Sequence, residues 1–225
     1  MIEALVFDLD DTLYLESDFV MSGYRAVAQF LADTDVCDFQ DAFDCMAETF
    51  VAEGRQKVFH ALLERFPNSS TILSDLVEVY RQHNPSISLF PGYSDLLRKL
   101  AYQYRLGVIT DGLPAVQVRK VRALGLESVM DKIIYTWVYG TDKEKPHPFS
   151  FSLMLEYLKM EPECVLFIGD NPIKDCSGAH GAGMKCAQVR HPAVNGIYPD
   201  AQIKETPEFV IDTLLQLPQI LRHLN

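Results

Sequence analysis

A short apolar run, Leu5-Val6-Phe7, lies between Glu3 and Asp8, and four similar runs follow at Leu106–Ile109, Lys132–Tyr135, Val165–Ile168 and Cys186–Val189. Each is short and apolar on consecutive positions, the pattern of a strand covered on both faces. Between them, Tyr93–Gln103, Pro114–Leu124, Phe149–Lys159 and Pro172–Ala182 carry the helical period. Alternating strands and helices predict an α/β fold, a doubly wound parallel sheet with helices on both faces. In such sheets ligands bind beyond the carboxyl ends of the strands, so the residues just after each run are where chemistry is expected.

Residues 16–90 break the alternation. They offer helical stretches near Ser17–Ala32, Phe39–Glu53, Lys57–Arg65 and Ser70–His83, punctuated by Pro67-Asn68-Ser69 and Asn84-Pro85. The block reads as an all-helical module inserted after the first strand, so residues 1–15 belong with 91–225, and Phe90-Pro91-Gly92 marks the return. Pro207–Asn225 reads as a last short strand and a closing helix.

Asp8-Leu9-Asp10-Asp11-Thr12 follows the first run. Two carboxylates two residues apart at a strand end point in the same general direction, and keeping both ionised is costly unless a cation sits between them or one is protonated. A polar loop with a helix cap explains the same residues, and on this segment alone both readings stay open. A calcium loop of the EF-hand kind does not fit, because its sixth position would be Leu13 and its twelfth Phe19. The second run ends in Thr110-Asp111-Gly112, a hydroxyl and a turn able to hold an anion with backbone N–H groups. The next loop carries Lys145 between proline-stiffened neighbours, and the fourth run ends in Gly169-Asp170, with Asp175 five residues further on. Each feature alone has a bland explanation in capping or solvation. In a parallel sheet, however, all four would meet at one edge.

Composition narrows the function. The 225 residues are 48% hydrophobic and 23% charged, as in an ordinary folded globule, and the net charge of −11 would repel nucleic acid and anionic membrane surfaces. Residues Glu16 to Pro91 hold 12 acidic and 5 basic residues, so the inserted module is poorly suited to a polyanionic macromolecule. No run reaches the roughly 18 apolar residues of a membrane span. Met1-Ile2-Glu3-Ala4 enters a strand at once, with no leader pattern. The five cysteines lack any C-x-x-C pair, so idle thiols in a reducing cytoplasm are expected. None of the 12 glycines falls in a G-x-x-x-x-G-K-[ST] pattern, and the G-x-S-x-G and H-E-x-x-H signatures are missing.

Taken in order, Asp8-x-Asp10-x-Thr12, Thr110, Lys145-Pro146 and Gly169-Asp170-x4-Asp175 resemble the four motifs of the haloacid dehalogenase superfamily. The helical insert is similar to the cap of one large branch, which here would span residues 16–90 on a Rossmann-like core. The resemblance implies a Mg²⁺-dependent phosphatase acting on a small phosphorylated metabolite: a sugar phosphate, a nucleoside monophosphate or a phosphoacid. It implies Asp8 as the nucleophile that forms an aspartyl-phosphate, and Asp10 as the proton donor and acceptor, with its backbone carbonyl on the metal. Asp8, Asp10 and Asp170 would hold Mg²⁺, while Thr110, the N–H of Asp111 and Lys145 would hold the phosphoryl oxygens. Thr12 and Asp175 would support them from behind, Asp175 by positioning Lys145 or a metal-bound water.

Dehalogenases of the superfamily expel halide without a proton and differ at the second acidic position, so Asp10 favours a phosphate ester. Many relatives carry Asn where Asp111 stands, which leaves its side chain without an assigned role. A phosphomutase with a similar first motif remains an alternative, as does a phosphoacceptor signalling or non-catalytic binding protein on the same type of fold. Tyr14, Arg25, Arg55, Lys57, His60, Arg81 and His83 could touch the leaving group or merely face solvent. The expected setting is cytoplasmic, with the chain a monomer or a homodimer and neither nucleic acid nor membrane as partner.

Overall fold

A computed structural model describes residues 1–67, 71–194 and 205–224. Six strands, β1 (Ala4–Phe7), β2 (Arg105–Thr110), β3 (Lys132–Tyr135), β4 (Val165–Gly169), β5 (Lys185–Val189) and β6 (Phe209–Ile211), form one sheet in the order β3-β2-β1-β4-β5-β6. All five pairings are parallel. The central strand β1 is buried along its whole length, and Leu5 aligns with Leu106 of β2 on one side and Leu166 of β4 on the other. Strand order reverses direction at β1, so the crevice between the carboxyl ends of β1 and β4 is the natural ligand site.

The helices are α1 (Glu16–Asp33), α2 (Phe39–Glu53), α3 (Val58–Arg65), α4 (Leu73–Gln82), α5 (Tyr93–Leu100), α6 (Pro114–Ala123), α7 (Phe149–Leu158), α8 (Asp175–Gly181) and α9 (Leu217–Leu224). The chain divides into two compact units, Met1–Glu16 with Ser88–Asn225, and Ser17–Ile87. In the helical unit, Val20, Tyr24, Val27 and Leu31 of α1 share a core with Met46, Leu62 and Leu76. Their i, i+4, i+7 spacing is the stripe an amphipathic helix buries.

In the sheet unit, α5 starts from Gly92 in the left-handed conformation (φ +82°) and buries Tyr93, Leu96, Leu97 and Leu100. Asp95 in its first turn and Arg98 and Lys99 in its last complement the helix dipole. Helix α7 packs on β2 and β3, while α8 packs on β4 and β5. Phe151 of α7 is fully buried against the Phe167 ring, 4.9 Å between centroids, in the middle of this core. Phe151→Ala is expected to cost about 3–5 kcal/mol in urea denaturation; an unchanged midpoint would mean that the site collapses around the gap.

Three expectations change. The helix read over Pro172–Ala182 begins only at Asp175. The Asn171 carboxamide oxygen accepts the N–H groups of Ile173 (3.1 Å) and Lys174 (3.2 Å), and this turn delays the helix by three residues. The helix expected from Ser70 begins at Leu73; Asn68, Ser69, Ser70 and the terminal Asn225 lie outside the described residues. The cysteines are not all idle thiols: Cys176 and Cys186 form a disulfide. Helix α8 lies directly on β5, which brings their Cα atoms to 5.3 Å, within bridging range; ten residues of separation gave no spacing signal. Cys37, Cys45 and Cys164 are free. No described helix is long and apolar enough to cross a membrane.

Candidate active site

The sheet's carboxyl edge receives one segment from each of four strands. Asp8 directly follows β1, and its backbone N–H donates to the Ile168 carbonyl at 2.9 Å, fixing the first loop to β4. The loop then turns tightly, with Leu13 N–H on the Leu9 carbonyl (3.0 Å) and Asp11 at φ +57°, a conformation that aspartate tolerates better than most residues. Phe90 N–H closes on the Leu13 carbonyl at 3.0 Å, so the chain returns where it left.

Lys145 is 3% exposed and lies between two carboxylates. Its ammonium donates to Asp8 Oδ1 and, at 2.7 Å, to Asp175 Oδ1. Asp175 is fully buried; its other oxygen accepts the Asn171 N–H at 3.1 Å. Gly169 leaves room for this arrangement, since a Cβ there would overlap the Asp175 carboxylate. Asp170 is held by its backbone: its N–H donates to Thr12 Oγ1 at 3.0 Å and its carbonyl accepts from Gln188 Nε2 at 3.1 Å. Asp8, Asp170 and Asp175 each present an oxygen, the three lying within 4.8 Å of one another.

Asp111, left without a role by the sequence, ties down the lysine loop. Its Oδ1 accepts from Thr136 Oγ1 at 2.8 Å and from the Lys145 N–H at 3.1 Å, and its Oδ2 lies 3.7 Å from Lys174 Nζ. The Thr110 hydroxyl is buried and donates to Gln117 Oε1 at 3.3 Å. The Asp10 carboxylate turns to Lys120 Nζ, at 2.7 Å, and to the Tyr14 hydroxyl. Asp8, Asp10, Asp111, Lys145, Asp170 and Asp175 thus line one cavity of about 220 Å³, with Asp11, Glu16, Asn171 and Lys174.

Lys120, Gln117, Asn171 and Lys174 had no part in the sequence reading. A signal existed for two of them: Gln117, Lys120 and Val121 are the buried residues of α6, so polar side chains occupy positions i and i+3 of its inner face. Among the candidates for contact with the leaving group, Tyr14 is fully buried on Asp10. Burial, with the Asp10 charge beside it, pushes the Tyr14 phenol well above its ordinary value, so the phenol is a donor. His83 is buried with Nδ1 on the Tyr80 carbonyl, Arg25 lies over the Phe43 ring, and Lys57 and His60 line a separate hollow in the helical unit.

Among the described residues, seven carboxylates and two ammonium groups line the cavity. Burial pushes the Asp8 carboxyl well above the ordinary range; Lys145 opposes this, but Asp175 and Asp170 add to it. Burial by itself would lower the Lys145 value, yet Asp175, Asp8 and Asp111 outweigh it and hold the ammonium charged. One lysine therefore does not neutralise the cluster. The ligand atoms in this group are all hard carboxylate oxygens, a set that suits a hard divalent cation such as Mg²⁺.

The haloacid dehalogenase-like hydrolase family model matches residues 5–189. The chain is 28% identical to a glyceraldehyde 3-phosphate phosphatase of Methanocaldococcus jannaschii, across 100% of this chain and 99% of that one. Among solved structures, a 2-haloacid dehalogenase of Pseudomonas syringae superposes with a TM-score of 0.69 at 26% identity, over 100% of both chains. The hydrolase YfnB of Bacillus subtilis, solved bound to magnesium, shares the fold with a TM-score of 0.68 at 23% identity, over 98% of each chain. With the matched segment running from β1 through β5 and containing all four motif segments, the chain belongs to the haloacid dehalogenase-like hydrolase family.

Proposed function

We propose that this protein is a Mg²⁺-dependent phosphatase that hydrolyses a small phosphomonoester through an aspartyl-phosphate on Asp8. The observation that carries the reading is the position of Asp8 at the tip of the central strand, against the Lys145 ammonium and beside Asp170. An anionic carboxylate can approach an anionic phosphoryl group only where positive charge is concentrated, and this cluster can concentrate it. Asp8 and Asp170, with the Asp10 carbonyl, would hold the ion, which would supply charge neutralisation at the phosphoryl oxygens. Lys145, Thr110 and the Asp111 N–H would bind those oxygens, with Thr110 exchanging its Gln117 contact for one of them. Asp10 would protonate the departing oxygen and later take a proton from the attacking water.

The phosphatase named among the relatives supports a triose-phosphate-sized substrate, as does a cavity of about 220 Å³. In this reading residues 16–90 act as the cap. The similarity to a 2-haloacid dehalogenase raises the rival of halide expulsion, against which the carboxylate at Asp10 speaks, since a halide leaves without a proton.

Incubation with Mg²⁺ and a panel of phosphate esters that includes glyceraldehyde 3-phosphate tests the reading. Release of inorganic phosphate is expected, falling at least about 10²-fold on chelation and returning with Mg²⁺. Halide release from a 2-haloacid without phosphate release from any ester would overturn it.

A further inference from the structure

The hydrolytic reading leaves unexplained a buried cation paired with Asp10. Lys120 is 3% exposed in the last turn of α6, and its Nζ lies 2.7 Å from Asp10 Oδ1. Tyr14, fully buried, donates to the same oxygen. Burying an ammonium is expensive unless a partner compensates it, and an ordinary helix would present an apolar residue here. Helix α6 gives its inner face instead to Gln117, which meets Thr110 at the end of β2, and to Lys120, which meets Asp10 beyond β1. One helix thus reaches two residues that the resemblance assigns to the reaction.

We propose that Lys120 and Tyr14 are positioning residues that clamp Asp10 by Oδ1, so that Oδ2 is the oxygen that gives and takes the proton. The proposal rests on the phosphatase reading and adds to it the device that orients its acid–base group. Two donors on one oxygen fix the plane of the carboxyl group, and the residue so held lines the cavity with its side chain 23% exposed. In the first half-reaction the bond from phosphorus to the leaving oxygen breaks as that to an Asp8 oxygen forms, and the Asp10 proton passes to the leaving oxygen. In the second, water attacks phosphorus and gives its proton to Asp10, and Asp8 leaves. Both transfers need the same oxygen in the same place, which a free rotor at Asp10 would not ensure.

The test compares an aryl phosphate, whose leaving group needs little protonation, with an alkyl phosphate, which needs much. Lys120→Met is expected to lower kcat on the alkyl ester at least about tenfold more than on the aryl ester, and Tyr14→Phe to show the same bias at about threefold. Because proton delivery is lost once only, Asp10→Asn with Lys120→Met should be no slower than Asp10→Asn alone. Equal losses on both esters, or a double variant slowed by the product of the two single effects, would make Lys120 a structural residue and overturn the proposal. Should Lys120→Met not fold, Tyr14→Phe decides by the same ratio, since it removes one hydroxyl and keeps the ring. Asp8→Asn run alongside separates the two readings. If it still hydrolyses both esters, the aspartyl-phosphate on Asp8 fails; if it is inactive while the Lys120 and Tyr14 variants show no leaving-group bias, only the positioning role does.

Discussion

Asp8→Asn is expected to release no measurable phosphate from any ester, a loss of at least about 10⁴-fold, because an amide cannot supply the attacking oxygen. The same substitution should leave the protein folded and, without Mg²⁺, melting at or above the wild-type temperature. The sign follows from charge. Burial, Asp175 and Asp170 raise the Asp8 carboxyl above its unfolded-state value despite Lys145, so its ionised form is a burden on the folded state at neutral pH. A neutral residue of the same shape removes that burden, and Lys145 keeps its bond to Asp175. Phosphate release and thermal melting, measured on one preparation, separate the possibilities. An inactive variant that melts well below wild type would mean that activity fell with the fold, and a variant that retains substantial turnover would remove Asp8 from the chemistry.

The strands were legible in the sequence because β1, β2 and β4 are buried on both faces, so every position in Leu5–Phe7 or Val165–Ile168 had to be apolar. The candidate site was legible where its residues sit just after those runs, as with Asp8, Thr110 and Asp170, since strand ends are fixed by the same pattern that defines the strands. What escaped was set by tertiary approach. Asp111 grips the Lys145 backbone 34 positions away, and Lys120 reaches Asp10 across 110; no local spacing encodes either. The Cys176–Cys186 bridge belongs to the same class, since it depends on α8 lying on β5. Helix starts slipped where side chains compete with the helix for backbone N–H groups, as Asn171 does ahead of α8. Polar residues at core positions of a helix, such as Gln117 and Lys120, are the one signal that a sequence reading could have followed further.

Lys145→Met should be the most damaging change to stability and activity together. Its ammonium is the partner of Asp8 and of the fully buried Asp175, so removing it strands two carboxylates beside Asp170. Breaking a buried ion pair by deleting one member costs about 3–5 kcal/mol. At about 2–4 °C per kcal/mol for a chain of this size, melting without Mg²⁺ should fall by about 6–20 °C. Phosphate release should fall at least about 10³-fold, since a donor to the phosphoryl oxygens is lost with the charge that admits the nucleophile. The two effects should respond differently to Mg²⁺. With Lys145 gone, the three carboxylates attract a divalent cation more strongly, so added Mg²⁺ should raise the melting temperature of the variant by more than it raises that of wild type, while turnover stays lost. Calorimetric titration with Mg²⁺ alone, followed by a melting scan at each concentration, measures this directly. If the variant melts like wild type and its Mg²⁺ response is no larger, Asp8 and Asp170 do not hold the cation, and the charge argument for the mechanism fails with it.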